Sequence, residues 1–576
     1  MHFCGRNNNP QFLDFVFLNS LSIINMNVYI KPLLITLFLL KSFIGAGQVK
    51  KDSLIEADQI LYNAQIISGP YTPVYYAMII KDGKILAMYK NNNWRNKYSS
   101  KIITDMGGKI ILPGFIDAHC HFLGLGKAMD EVSLYGTKTW EEAVTRVSEF
   151  IKSHPERKWI LGRGWDQNDW PNKNFPTSKL LDSLFPNHYI ALSRIDGHAV
   201  IANQNALQFA AITADSKING GKIVMQDGQL TGVLVDNATQ LLEQKIPQPG
   251  NNQKIRWLLA AQTECLKYGI TQVTDAGLPL SDIHLIDSLC QANVLKMRFY
   301  IMANPDKTTL EAMKTGGIAT NQVHWKSVKI YSDGALGSRG ALLKQPYCDD
   351  KTNFGLQLIE PVKLDSLLKV IYENGFQAAT HCIGDSANSL VLKAYARVLK
   401  TTTNDRRWRI EHAQVVDPQD LQYFSTYSII PSVQPTHATS DMYWAENRLC
   451  KSRMHEAYSF KTLLDNSGIL PLGTDFPVEY VSPFNTIRAA RFRQDASGFP
   501  SKGFNAKEAL SSTQTFAGMT IWAAMSNFWE KETGTLETGK WADFIVMDQN
   551  PYTASLKKLN TMDVNQTFIG GVSVFK

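Results

Sequence analysis

The strongest constraint on how this chain folds is a series of metal-binding side chains, each at the end of a short apolar run. His119 and His121 stand in Leu-Pro-Gly-Phe-Ile-Asp-Ala-His-Cys-His. Lys329, His381, His412 and Asp475 follow in Val-Lys-Ile, Ala-Ala-Thr-His, Arg-Ile-Glu-His-Ala and Pro-Leu-Gly-Thr-Asp. In a strand, residues i and i+2 point to one face, so both imidazoles of the first pair can reach one ion while Cys120 points away. Strand ends that converge from positions this far apart predict a barrel with a metal site at its mouth.

Eight candidate barrel strands carry these residues, at about 111–119, 270–275, 297–302, 327–332, 377–382, 408–413, 429–434 and 470–475. From the second strand onward the gaps suit helical crossovers. The first gap is far longer, so residues 125–250 are expected to form an insertion with its own helices and strands. It has helical spacing over Trp140 to Phe150 and an Asp-Gly-Gln turn at 227–229. An insertion after a barrel strand sits over the active-site face, as a lid or substrate wall.

The chain has 576 residues, 44% hydrophobic and 19% charged, with a net charge of +7. That is more than one ordinary domain and ample material for a core. No lysine-rich tail or basic helix accompanies the small positive charge, so nucleic acid is not an expected partner. Residues 1–25 read as upstream sequence before a start at Met26. From there a basic stretch, an apolar run of about ten residues and Gly-Ala-Gly-Gln form a signal-peptide pattern through residue 48, with an uncleaved anchor as the alternative. The expected location is therefore periplasmic or extracellular, with no stable membrane partner after cleavage; a homo-oligomer is left open. Seven cysteines, at 4, 120, 265, 290, 348, 382 and 450, show no Cys-x-x-Cys spacing and predict neither a disulfide framework nor a zinc finger.

The ordered set His-x-His, Lys, His, His, Asp resembles the amidohydrolase superfamily, and more closely its YtcJ-like branch, which includes N-substituted formamide deformylase. Further matches are Gly-Arg-Gly-Trp-Asp-Gln at 162–167, Asp-Gly-His at 196–198, Ser-Asp-Gly-Ala-Leu-Gly-Ser-Arg at 332–339 and Gln-Pro-Thr-His at 434–437. The resemblance implies an α/β fold: a (β/α)8 TIM barrel over 113–519, and a composite β-sandwich built from 52–112 and 520–576. An Asp82-Gly83 hairpin signal falls in the first of these sandwich segments.

By the same resemblance one or two divalent ions, zinc first, are held by His119, His121 and Asp475 on one side and His381 and His412 on the other. Lys329 is the odd donor, because an ammonium has no lone pair. A desolvated lysine can lose its proton and take up CO₂, giving a carbamate able to bridge two metals; an ion pair, for instance with Asp333, is the alternative. Asp475 is the expected catalytic base, with a structural cap on the Thr474 turn as its alternative. His198 is a candidate donor to the reaction's oxyanion, with a structural role as its alternative. Trp165, Arg339 and His437 are candidate substrate contacts, with packing inside the insertion open for Trp165 and a structural ion pair open for Arg339. Asp117 is placed just behind the ligands. The reaction these residues suit is hydrolysis of a small amide or formamide; cyclic-amide, ester or deaminase chemistry, or a binding protein without turnover, are the alternatives.

Overall fold

The computed structural model describes residues 54–400 and 404–576. The upstream and signal segment lies outside the described residues. Seven parallel strands run in order around the barrel: Phe115–Cys120, Ile270–Leu278, Arg298–Ala303, Val323–Tyr331, Gln377–Cys382, Arg409–His412 and Ile430–Ser432. Their outward apolar residues, among them Val273, Phe299, Val328, Ala378 and Ile410, are buried under the surrounding helices in one large core. The eighth expected segment, 470–475, is too irregular to form a regular strand, yet it closes the ring. The Val433 and Gly473 amides donate to Pro471 and Val433, while Ala118 and Asp475 on the other side exchange bonds with Leu472 and His119. Pro471 has no amide to give. Gly473 is pressed so near the first strand that a Cβ there would sit 2.5 Å from the His119 nitrogen.

The expected first strand, 111–119, is two strands. Ile110–Pro113 belongs to the sandwich and pairs with Phe544–Met547, and the barrel strand starts at Phe115. Gly114 is the pivot between them. A side chain there would meet Thr271 at 2.3 Å, so only glycine lets the chain cross from one sheet to the other.

The sandwich pairs a four-stranded sheet from the N-terminal part with a six-stranded sheet that takes strands from both ends of the chain. Leu61, Ile66, Met78, Ile80, Ile111, Phe544 and Val546 fill the space between. Asp82 and Gly83 both have positive φ, 51° and 73°, as a two-residue hairpin turn of the favoured type requires. The C-terminal share starts later than residue 520. Helix Ile521–Ser526 instead packs Ala523 and Ala524 under Ile116 and Ala118. Ser526 and Asn527 meet Arg409, Gln377 and Thr274 at the barrel's lower end. Those buried polar groups need partners, and this segment supplies them.

The insertion is a six-stranded mixed sheet with helices. Helix Trp140–Ser153 is capped by Thr139, whose hydroxyl accepts from the Glu142 amide at 3.1 Å. The 227–229 turn joins strands Gly221–Gln226 and Gln229–Asp236. Trp165 is fully buried in the insertion's own core beside Trp170, and its indole donates to the Leu192 carbonyl at 2.7 Å. It is therefore a packing residue rather than a substrate wall, because both faces of that strand are covered. The cysteine expectation also needs correction: Cys348 and Cys450 are joined in a disulfide, with Cα atoms 5.6 Å apart. Cys120, Cys265, Cys290 and Cys382 are free and buried. Among the described residues no helix is long and apolar enough to cross a membrane.

Candidate metal centre

All six residues expected as ligands meet at the C-terminal end of the barrel. His119 Nε2 and His121 Nε2 lie 3.7 and 3.2 Å from Asp475 Oδ1, and Lys329 Nζ lies 3.2 Å from His119 Nε2. The His412 ring centre is 4.9 Å from that of His119 and 4.5 Å from that of His381. Backbone geometry aims two of them. His412 and Asp475 adopt φ of 72° and 62°, a conformation that costs an ordinary residue about 1–3 kcal/mol and is held by surrounding structure. For Asp475 that structure is Asp117, whose carboxylate accepts from the Thr474 hydroxyl at 2.7 Å and from the Thr474 and His119 amides. Burial pushes Asp117 up to about 7.

Hydrogen bonds fix which nitrogen of each ring faces inward. His119 Nδ1 donates to Glu411 Oε2 at 2.5 Å, His121 Nδ1 to the Ala276 carbonyl at 2.8 Å, and His412 Nδ1 to Gln434 Oε1 at 2.7 Å. With Nδ1 protonated, the Nε2 lone pair of each ring is free to bind a cation. Burial drives His381 and His412 well below the ordinary histidine value and His119 down to about 4, so these imidazoles are neutral at pH 7. Asp475 shifts well below the ordinary carboxylate value: burial would raise it, and the contact with His121 at 3.2 Å opposes that. Asp475 Oδ1, His381 Nε2 and His437 Nε2 are buried without a hydrogen-bond partner, which is what a donor set awaiting a cation looks like. Two three-donor groups stand out, His119–His121–Asp475 and His412–His437–Asp475. His437, expected to face substrate, thus stands 3.7 Å from Asp475 Oδ2 among the ligand atoms themselves.

Lys329 is buried and, among the described residues, pairs with no carboxylate; Asp333 instead accepts from the Leu342, Ile383 and Gly384 amides. Burial lowers the Lys329 ammonium to about 8. Arg339 is a correction to the expected substrate contacts, since its guanidinium is engaged by Asp349 through two bonds of 3.2 and 3.1 Å. His198 reaches the site from the insertion, its ring 5.2 Å from that of His381. His198 Nδ1 donates to Asp236 Oδ1 at 2.8 Å, and this bond and the nearby carboxylates raise the imidazole despite its burial.

Glu411 and Asp236 were not singled out in the sequence. Glu411 is completely buried, gripped by Arg409 at 2.6 and 3.0 Å, and held at about 2 because Arg409 and His119 outweigh its burial. The signal was the Arg-x-Glu spacing, which puts opposite charges on one face of a buried strand. Asp236 carries no such mark. Beside the centre lie a cavity of about 680 Å³, walled by Arg163, Asp196, His198, Asp236 and Tyr331, and a smaller one of about 270 Å³ reaching Tyr135, Asp441 and Trp444.

Comparison with known proteins agrees with the motifs. The amidohydrolase family profile matches residues 103–575. The chain is 28% identical over 514 residues to YtcJ of Bacillus subtilis, covering 87% of this chain and 96% of that one. It is 24% identical over 520 residues to N-substituted formamide deformylase of Arthrobacter pascens, covering 86% and 94%. A metal-dependent hydrolase of Pyrococcus horikoshii shares the fold with a TM-score of 0.70 at 24% identity, over 86% of this chain and 99% of that one. The protein belongs to the amidohydrolase family, and buried imidazoles and a carboxylate meet at its barrel mouth.

Proposed function

We propose that this amidohydrolase cleaves the carbon–nitrogen bond of a small amide, with N-substituted formamides first among the candidates. One observation carries the reading: His119 and His412, neutral and with Nδ1 tied back, meet His121, His381, Asp475 and a buried lysine at one barrel mouth. His119, His121 and Asp475 would hold one divalent ion; His381 and His412 would hold a second, with Lys329 as a bridging carbamate and His437 as a further donor. Zinc is the metal this donor set favours, and when bound it polarises the substrate carbonyl and acidifies water towards neutral pH. The remaining work falls to side chains. Asp475 orients the attacking water, takes its proton and delivers it to the leaving nitrogen as the C–N bond breaks. His198, its imidazolium favoured by Asp236, would donate from Nε2 to the carbonyl oxygen, where negative charge develops.

Metal analysis and a substrate screen test this together. Protein purified without chelator should carry about one to two equivalents of a divalent transition metal. It should hydrolyse N-formyl, N-acyl-amino-acid or cyclic-amide compounds, lose that activity on chelation and regain it with zinc. Turnover that persists undiminished in metal-free protein would sink the reading, as would a metal-loaded protein inert to every class.

Export is part of the same proposal. It is supported by the apolar segment after Lys31 and by the Cys348–Cys450 disulfide, a bond that persists in oxidising compartments. A cut near Gly47 would leave the first described strand, Ile55–Glu56, intact. N-terminal sequencing of protein from the native host should begin near Gly47 or Gln48; intact chain beginning at Met1 in the cytoplasm would refute processing.

A further inference from the structure

The motif Ser332 to Gly340 contains three glycines whose backbone does not demand glycine, and two of them, Gly334 and Gly340, face one carboxylate. Neither Gly334 nor Gly340 has a φ in the left-handed region, so conformation is no reason for their small size. Space is the reason. A Cβ on Gly334 would sit 2.3 Å from Asp236 Oδ1, and one on Gly340 would sit 2.4 Å from Asp236 Oδ2. The two glycines lie face to face, 3.2 Å from the ideal Cβ of one to the Cα of the other, and the Gly334 amide donates to the Gly340 carbonyl at 3.2 Å. They form a socket on the barrel, and what fills it comes from the insertion.

Asp236 ends the insertion's strand Gln229–Asp236 and is buried with φ of 52°. Its amide donates to the His198 carbonyl at 2.7 Å, and its Oδ1 accepts from His198 Nδ1 at 2.8 Å. Asp236 thus grips His198 at backbone and ring together. It is one of the groups joining the insertion to the barrel loop within reach of the centre.

We propose that the Gly334–Gly340 socket seats Asp236 and, through it, sets the ring of His198 over the metal centre, making Asp236 and both glycines positioning residues for a catalytic side chain they do not themselves replace. The proposal rests on His198 acting on substrate as argued above. It assigns a function to the Ser-Asp-Gly-Ala-Leu-Gly motif that no ligand role explains: the barrel loop is carved to receive the lid.

A double-mutant cycle tests it. His198→Ala should lower kcat about 10²-fold or more, the usual loss for one oxyanion donor. Asp236→Ala should approach that loss, and Gly334→Ala should lose about 10-fold or more, with KM nearly unchanged and full metal content. Residues that act as a unit do not add. His198→Ala with Gly334→Ala should therefore be within about 2-fold of His198→Ala alone. Gly334→Ala added to Asp236→Ala should cost almost nothing, because the clashing carboxylate is gone. A crystal structure of metal-loaded Gly334→Ala should show Asp236 displaced and the His198 ring turned. Losses that multiply across the cycle, or a His198 ring that stays in place, would overturn the socket. Asp236→Ala, which removes atoms rather than adding a clash, keeps the test valid if Gly334→Ala folds poorly. A wild-type protein inert to all carbon–nitrogen substrates would refute the function reading instead, and the crystallographic comparison would still decide the socket.

Discussion

Asp475→Asn is expected to lower kcat by about 10²–10⁴-fold, the range associated with losing a general base. The substitution keeps the shape of the side chain and an oxygen that can approach His121 Nε2, now 3.2 Å away. What it removes is the negative charge and the capacity to accept a proton from water. Asp117 continues to hold the Thr474 turn, so the backbone at Asp475 should not relax. Most of the metal should stay, because four histidines and Lys329 still converge on the site. Steady-state kinetics alongside metal analysis distinguish the outcomes. Near-normal turnover in a fully loaded Asp475→Asn protein would remove Asp475 as the proton carrier and direct attention to another base.

The second large effect is expected at Lys329. Losing a partner that merely orients a ligand commonly costs 10- to 100-fold in metal affinity, so losing a bridging ligand should exceed that. Lys329→Ala should therefore be purified with less metal and with activity down by at least about 10²-fold. Short carboxylic acids such as acetate or propionate should restore part of it, by placing two oxygens where the carbamate stood. Only the free amine reacts with CO₂, and burial brings the ammonium down to about 8. With dissolved CO₂ held constant, reactivation of metal-stripped wild-type protein by CO₂ and zinc should thus quicken as pH rises from 7 to 9. Wild-type metal content and rate in Lys329→Ala would exclude the bridge.

The six residues that meet at the barrel mouth were legible in the sequence because each is a polar residue of metal-binding type ending an apolar run, where burial would otherwise be costly. His-x-His carries its own geometry, two residues on one face of a strand. The barrel strands followed from the same runs, while the sandwich drawn from both chain ends came from the family resemblance. Less legible was anything set by contacts between distant segments. The disulfide joins residues 102 apart with no spacing signature. Trp165 lies on a strand covered on both sides, so its alternation could not say which face met substrate. Asp236 looks like any turn aspartate until the two glycines opposite it are seen. The division of 111–119 into two strands depends on Thr271 standing beside Gly114, a neighbour that lies far along the chain.

The sheet that joins the two ends of the chain sets a problem of timing. Strand Ile110–Pro113 has one neighbour, Gln65–Ile67, close by in sequence, but its other neighbour is Phe544–Met547. At roughly 5–20 residues per second, a ribosome takes on the order of 20 to 90 s to travel between them. Throughout that interval the early strand exposes an open, apolar edge, the kind of surface that pairs with other chains. Order of synthesis and order of folding are therefore opposed in this protein: a sheet begun among the first is among the last completed. A truncation before Phe544 would not simply trim a tail, because it would leave that edge open permanently.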